Sequence, residues 1–136
     1  MEVVAGAMAG FVMGVLSLGP TAMVAPDLVR AYPGLRRSIQ AGASLTLMTV
    51  VVTFLFSAVW TLVGTLLGLA YRWALQSFPG EGLFSPNAFF TLAMVMAAPA
   101  FPLAVCLILR RWSWPGAALG VVFAGSFGWL LPYLAR

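Results

Sequence analysis

The chain has 136 residues, of which 62% are hydrophobic and only 7% charged, with a mean hydropathy of +1.04. Average globular domains carry about 25% charged residues, and disorder needs the opposite composition, so an integral membrane protein is the class left standing. The net charge of +4 rests on seven basic residues, all arginine and set between apolar runs, where they report topology rather than nucleic-acid binding.

The first apolar run, Val3 to about Ala25, begins almost at Met1 and is preceded only by Glu2. It lacks the basic start and short core of a signal peptide, and it is long enough to cross a hydrocarbon core of ~30 Å at about 1.5 Å per residue. It is therefore expected to be a retained transmembrane helix. Gly6, Gly10 and Gly14 recur at every fourth position, forming a flat face where another backbone can approach. Gly19-Pro20 follows and should kink or break the helix.

Pro26 to Arg37 reads as a loop carrying Asp27, Arg30, Arg36 and Arg37. A second span is expected over 41–62, with apolar character persisting to about Leu75. That excess implies either a strong tilt or a bend at Gly64/Gly68 into an interfacial segment with Tyr71, Arg72 and Trp73. At about 100° per residue, Gly42, Thr46, Thr49, Thr53, Ser57, Thr61, Gly64 and Gly68 share one side of this helix, against bulky apolar residues elsewhere. In lipid such a stripe serves a protein neighbour or a solute. Ser77 to Asn87, with Pro79-Gly80-Glu81-Gly82, reads as an exposed loop.

A third span is expected over 88–109, interrupted by Pro99 and Pro102 and ended by Arg110 and Arg111. Trp112, Trp114 and Pro115 then form an aromatic belt and open a fourth span, 116–134. The expected fold is an all-α membrane protein of one domain, 1–136, with four transmembrane helices arranged as two helical hairpins. Arg30, Arg36, Arg37, Arg110 and Arg111 fall on one side, against Arg72 and Arg136 on the other. By the positive-inside rule both termini lie outside and the short Arg loops are cytoplasmic, in the cell (inner) membrane. The block from Arg36 to Leu45 also aligns without gaps on Arg110 to Leu119, matching Arg, Arg, Gly, Ala and Leu. This is either a duplicated hairpin or the common composition of a helix start.

Gly19-Pro20 followed by Gly34-Leu35-Arg36, with Ser85-Pro86-Asn87 further on, slightly resembles the start of the LysE-type exporters. Their Pro-Gly-Pro signature is not intact and their full set of spans is not present, so no membership or activity is carried over from them.

No catalytic constellation emerges. Glu2, Asp27 and Glu81 are the only acids and fall at ends or in loops, and there is no His, so acid–base work and zinc or haem ligation have no residues to use. Cys106 reads as a small buried hydrophobe, and the scattered methionines as packing. No cofactor is predicted, although chlorin or quinone contacts could be made by apolar and backbone groups without a motif. Small proton-coupled multidrug exporters keep a carboxylate at depth, which is missing here. The function expected is that of a small non-enzymatic multi-pass subunit within a larger homo- or hetero-oligomeric assembly, contributing to small-solute or ion transport through the proline-broken helices and the hydroxyl stripe. The alternative is an accessory subunit that stabilises a respiratory or photosynthetic complex. Its partners are the bilayer and other membrane subunits or copies of itself, with no nucleic acid.

Overall fold

The computed structural model describes residues 1–78, 80–82 and 85–136. Among them the secondary structure is helical throughout: α1 (Glu2–Ala31), α2 (Pro33–Gln40), α3 (Leu45–Ser77), α4 (Pro86–Ala97), α5 (Ala100–Leu109), α6 (Trp114–Phe123), a π-helical segment (Ala124–Leu130) and α7 (Leu131–Leu134). Four stretches are long and apolar enough to cross a membrane: Glu2–Ala31, Leu45–Ser77, Pro86–Leu109 and Trp114–Leu134. Their outer surfaces stay apolar. Leu107 is 79% exposed, Val121 73% and Phe54 64%, a surface suited to lipid rather than water.

The boundaries follow local chemistry. Ser44 caps α3 by accepting the Leu47 N–H at 3.4 Å, and Ser85 caps α4 by accepting the Ala88 N–H at 3.2 Å. Such oxygens satisfy donors that the first helical turn leaves unpaired. Gly42, with φ +102°, supplies the turn before α3. Arg110 closes α5 in the left-handed region at φ 52°.

Several expectations are corrected. Gly19-Pro20 does not interrupt the first helix, which runs through both Pro20 and Pro26 to Ala31. Each proline removes one backbone hydrogen bond, but five residues lie between them, so intact bonds between them hold the helix. Pro26, Asp27 and Arg30 therefore belong to the helix and not to a loop. The second span starts at Leu45 rather than Ala41 and continues unbroken to Ser77. Gly64 and Gly68 are buried helical positions within it rather than a bend. Of the loop expected over 77–87, Ser77, Pro86 and Asn87 are helical, and Pro79 lies outside the described residues. The interruption expected near Pro99 and Pro102 is present as the break between α4 and α5.

Packing begins at α1 and α3. Gly6, Gly10 and Gly14 lie against Gly64, Gly68, Trp60 and Ser57 so closely that no side chain fits between the two backbones. A Cβ on Gly64 would stand 2.6 Å from the Gly10 Cα, and one on Gly14 would stand 2.7 Å from the Ser57 carbonyl oxygen. Trp60 then joins α3 to the rest of the chain. Its ring centroid lies 5.5 Å from Phe56, 5.6 Å from Phe101, 5.9 Å from Phe123 and 6.0 Å from Phe127, distances typical of favourable aromatic pairs. Phe127, Met13 and Leu131 are fully enclosed around it. Gly116 and Gly120 let α6 approach α5 at Val105 and Pro102, with Gly120 also against the Ala98 carbonyl.

The two blocks of the sequence repeat adopt different structures. Arg36 and Arg37 sit within α2, whereas Arg110 and Arg111 lie in the turn after α5. Gly42 is exposed with open space around it, while its counterpart Gly116 is buried against Val105.

Replacing Gly10 with Ala forces backbone atoms apart, so it is expected to lower stability by about 1–3 kcal/mol. Gly19 has nothing within 4 Å of an added Cβ, so Gly19→Ala is expected to leave stability unchanged or slightly raised. Unfolding titrations of the full chain in mixed detergent micelles check the pair.

Candidate functional site

The residues singled out in the sequence divide between two seams and one end of the molecule. The first seam is α1 on α3. Gly6, Gly10 and Gly14 are buried there, as are Thr53, Gly64 and Gly68 on the facing helix. Thr46 is exposed, and Thr49, Ser57 and Thr61 are partly covered. Gly19 is exposed and Pro20 partly covered.

Within this seam the hydroxyls are mostly engaged with backbone. The Gly14 carbonyl accepts two of them, Ser17 Oγ from its own helix at 2.9 Å and Ser57 Oγ from α3 at 2.8 Å, which uses both lone pairs of that oxygen. Thr53 Oγ1 donates to the Thr49 carbonyl at 2.8 Å. Among the described residues three buried side-chain polar atoms have no hydrogen-bond partner: Thr21 Oγ1, Thr49 Oγ1 and Trp60 Nε1. All three belong to α1 and α3, the helices that make this seam.

The second seam holds the other prolines. Pro99 is exposed and Pro102 partly covered, and together they border a shallow hollow of about 280 Å³ against Gly120 and Ala124. Between the two seams lies an apolar hollow of about 390 Å³ bounded by Thr21, Val24, Phe56, Phe101, Ala104 and Leu119. Through Leu28, Val52 and Ile108 it adjoins a second hollow of about 430 Å³ beside Tyr32 and Leu35.

The arginines collect at the far end of this groove. Asp27 in α1 forms an ion pair with Arg111 beyond the end of α5. Arg30 follows one turn after Asp27, and exposed Arg36 and Arg37 lie on α2. At the opposite end Tyr71 Oη donates to Asn87 Oδ1, joining α3 to the first turn of α4. Cys106 is only half-buried, short of the burial expected for it.

Sequence reasoning missed several of these roles. Asp27 had no visible partner, because Arg111 lies 84 positions away. Trp60, Tyr71, Asn87 and Thr91 carried no periodic signal distinguishing them from belt or packing residues. Thr91 Oγ1 donates to the Gly128 carbonyl at 2.7 Å, inside a π-helical segment that composition does not announce.

What the seams can do chemically is limited to contact and solvation by hydroxyl and carbonyl groups. No group of three or more His, Cys, Asp or Glu converges among the described residues. Comparison with protein-family models, with curated proteins and with solved structures gave no match.

The Ser57–Gly14 bond ties the two helices together, so Ser57→Ala is expected to cost about 0.6 kcal/mol, the usual size of such a bond between membrane helices. Thr46→Val, at an exposed position, is expected to change nothing. Detergent unfolding of both variants beside the wild type separates the two outcomes.

Proposed function

We propose that this chain is a non-enzymatic multi-pass subunit of the cell (inner) membrane that works within a larger homo- or hetero-oligomeric assembly. The observation that carries this reading is the unequal cover of the spans. The most apolar windows of the first and fourth spans are 39% and 44% buried within the chain, whereas that of the third is only 6% buried. Gly6, Gly10 and Gly14 of α1 are already occupied by α3, so α4 and α5 offer faces for a neighbour. In lipid, helices associate through such packing contacts rather than through hydrophobic burial.

In this reading the chain forms two helical hairpins, α1 with α3 and α4–α5 with α6–α7. Both termini lie outside. The end bearing Arg30, Arg36, Arg37, Arg110 and Arg111 is cytoplasmic, following the excess of arginine in the short connections.

A second reading, solute or ion permeation within the assembly, is favoured by the apolar groove together with the unpartnered hydroxyls of Thr21 and Thr49. Helix breaks such as Pro99 and Pro102 accompany transport sites in other membrane folds.

Gentle extraction followed by measurement of native mass tests the subunit reading. A discrete species heavier than one 14.4 kDa chain is expected, and a lone chain under every mild condition would overturn it. Flux through reconstituted vesicles tests the second reading. Thr49→Val lowers flux at unchanged assembly if the hydroxyls line a route, and leaves flux unchanged if they do not.

A further inference from the structure

A trough of about 680 Å³ lies between α4 and the end of the last span. Its polar lining comes from Ser85, Asn87 and Thr91 on one wall and from Trp129, Tyr133 and Arg136 on the other. The polar groups of the first wall are partly engaged already. Asn87 Oδ1 accepts from Tyr71 Oη, and Ser85 Oγ accepts the Ala88 N–H. Thr91 spends its own proton on the Gly128 carbonyl.

The two walls also carry a set of donors: the Asn87 amide N–H groups, the Ser85 and Tyr133 hydroxyls, the Trp129 indole N–H and the Arg136 guanidinium. Among the described residues none of these donates to a protein acceptor. Among the described residues no Asp or Glu side chain lines the trough. Glu2 pairs with the amino group of Met1, and Glu81 lies in the connection before α4. Five free donor groups, one of them a cation, converge on the trough, an arrangement complementary to a phosphate.

The rest of the trough is apolar. Leu92, Val95 and Pro132 supply apolar lining, and Val95 also borders the hollow at Pro99, Pro102 and Gly120. The two hollows thus follow one another along the seam between α4–α5 and the fourth span. At the polar end Trp129 and Tyr133 stack with centroids 5.6 Å apart and planes 14° apart, and both are more than half exposed. Such aromatics sit at headgroup depth.

We propose that this trough is a binding site for one acidic phospholipid. Its phosphate takes the donors of Asn87, Tyr133 and Arg136, and one acyl chain lies along Leu92 and Val95 toward Pro99. A free phosphate would use the same donors but leave the apolar continuation empty, which is why a lipid is the occupant. The inference stands apart from the subunit reading, since the trough is formed within a single chain.

The test is native mass spectrometry of the full chain in detergent, with phosphatidylglycerol, phosphatidylcholine or inorganic phosphate added in turn. The wild type is expected to retain one phosphatidylglycerol with at least about fivefold preference over phosphatidylcholine, the effect of one arginine near an anionic surface. Arg136→Gln is expected to bring that preference to within about twofold. Val95→Trp, which fills the trough without touching the donors, is expected to abolish retention of either lipid, while far-ultraviolet circular dichroism stays that of the wild type. Arg72→Gln, at the same end of the molecule but outside the trough, is expected to bind as the wild type does. Equal retention of the two lipids overturns the proposal, as does equal loss in Arg72→Gln and Arg136→Gln. Displacement of the lipid by millimolar inorganic phosphate would make this a simple phosphate site and overturn it as well.

Discussion

The fold depends on the absence of side chains where α1 crosses α3. Lipid tails are as apolar as leucine, so burying leucine between two membrane helices gains little. Close backbone contact and hydrogen bonds must do the joining. Gly6, Gly10, Gly64 and Gly68 bring the two backbones together, and Gly14 exposes a carbonyl that the Ser57 hydroxyl can reach. With α3 held this way, Trp60 is presented at a fixed height to Phe101, Phe123 and Phe127. The glycine contact therefore positions the aromatic cluster that gathers the later helices, although it touches none of them.

The spans were legible because length and hydropathy are sums over many residues, and one or two exceptions barely change them. The glycine spacing was legible too, as a face that some backbone could approach. Its partner was not, because nothing local in Gly6 or Gly10 points to Gly64. Proline shows the limit most clearly. Pro20 and Pro26 leave α1 unbroken, while Pro99 and Pro102, three residues apart, accompany a break between α4 and α5. The residue type is the same, but two missing hydrogen bonds in neighbouring turns weaken a helix more than two well-separated ones. The aromatic cluster and the Tyr71–Asn87 and Asp27–Arg111 links could not be read in advance, since each joins segments with no shared periodicity.

The two ends of the molecule are held by different chemistry. At one end a charged pair, half-open to its surroundings, ties α1 to the turn after α5, and exposed pairs of this kind contribute at most about 1 kcal/mol and weaken with salt. At the other end a tyrosine only 2% exposed bonds to an asparagine beneath a ring of Phe90, 5.1 Å between centroids. Neutral hydrogen bonds shielded by aromatic packing do not feel ionic strength in the same way. The arginine end is thus the looser of the two, and it is also the end into which the apolar groove between the seams leads.

The π-helical segment gives the last span a property that hydropathy does not measure. A stretch wound with one residue too many per turn is an insertion held in place, here by the Thr91 hydroxyl on the Gly128 carbonyl and by the enclosed ring of Phe127. Winding these same seven residues as ordinary α-helix, at about 100° each instead of roughly 80°, would turn everything beyond them by more than about 100° around the helix axis. Tyr133 and Arg136, which move together, would then be carried away from the wall formed by Ser85, Asn87 and Thr91. For this span the winding is as much a part of the structural instruction as the apolar composition that carries it across the membrane.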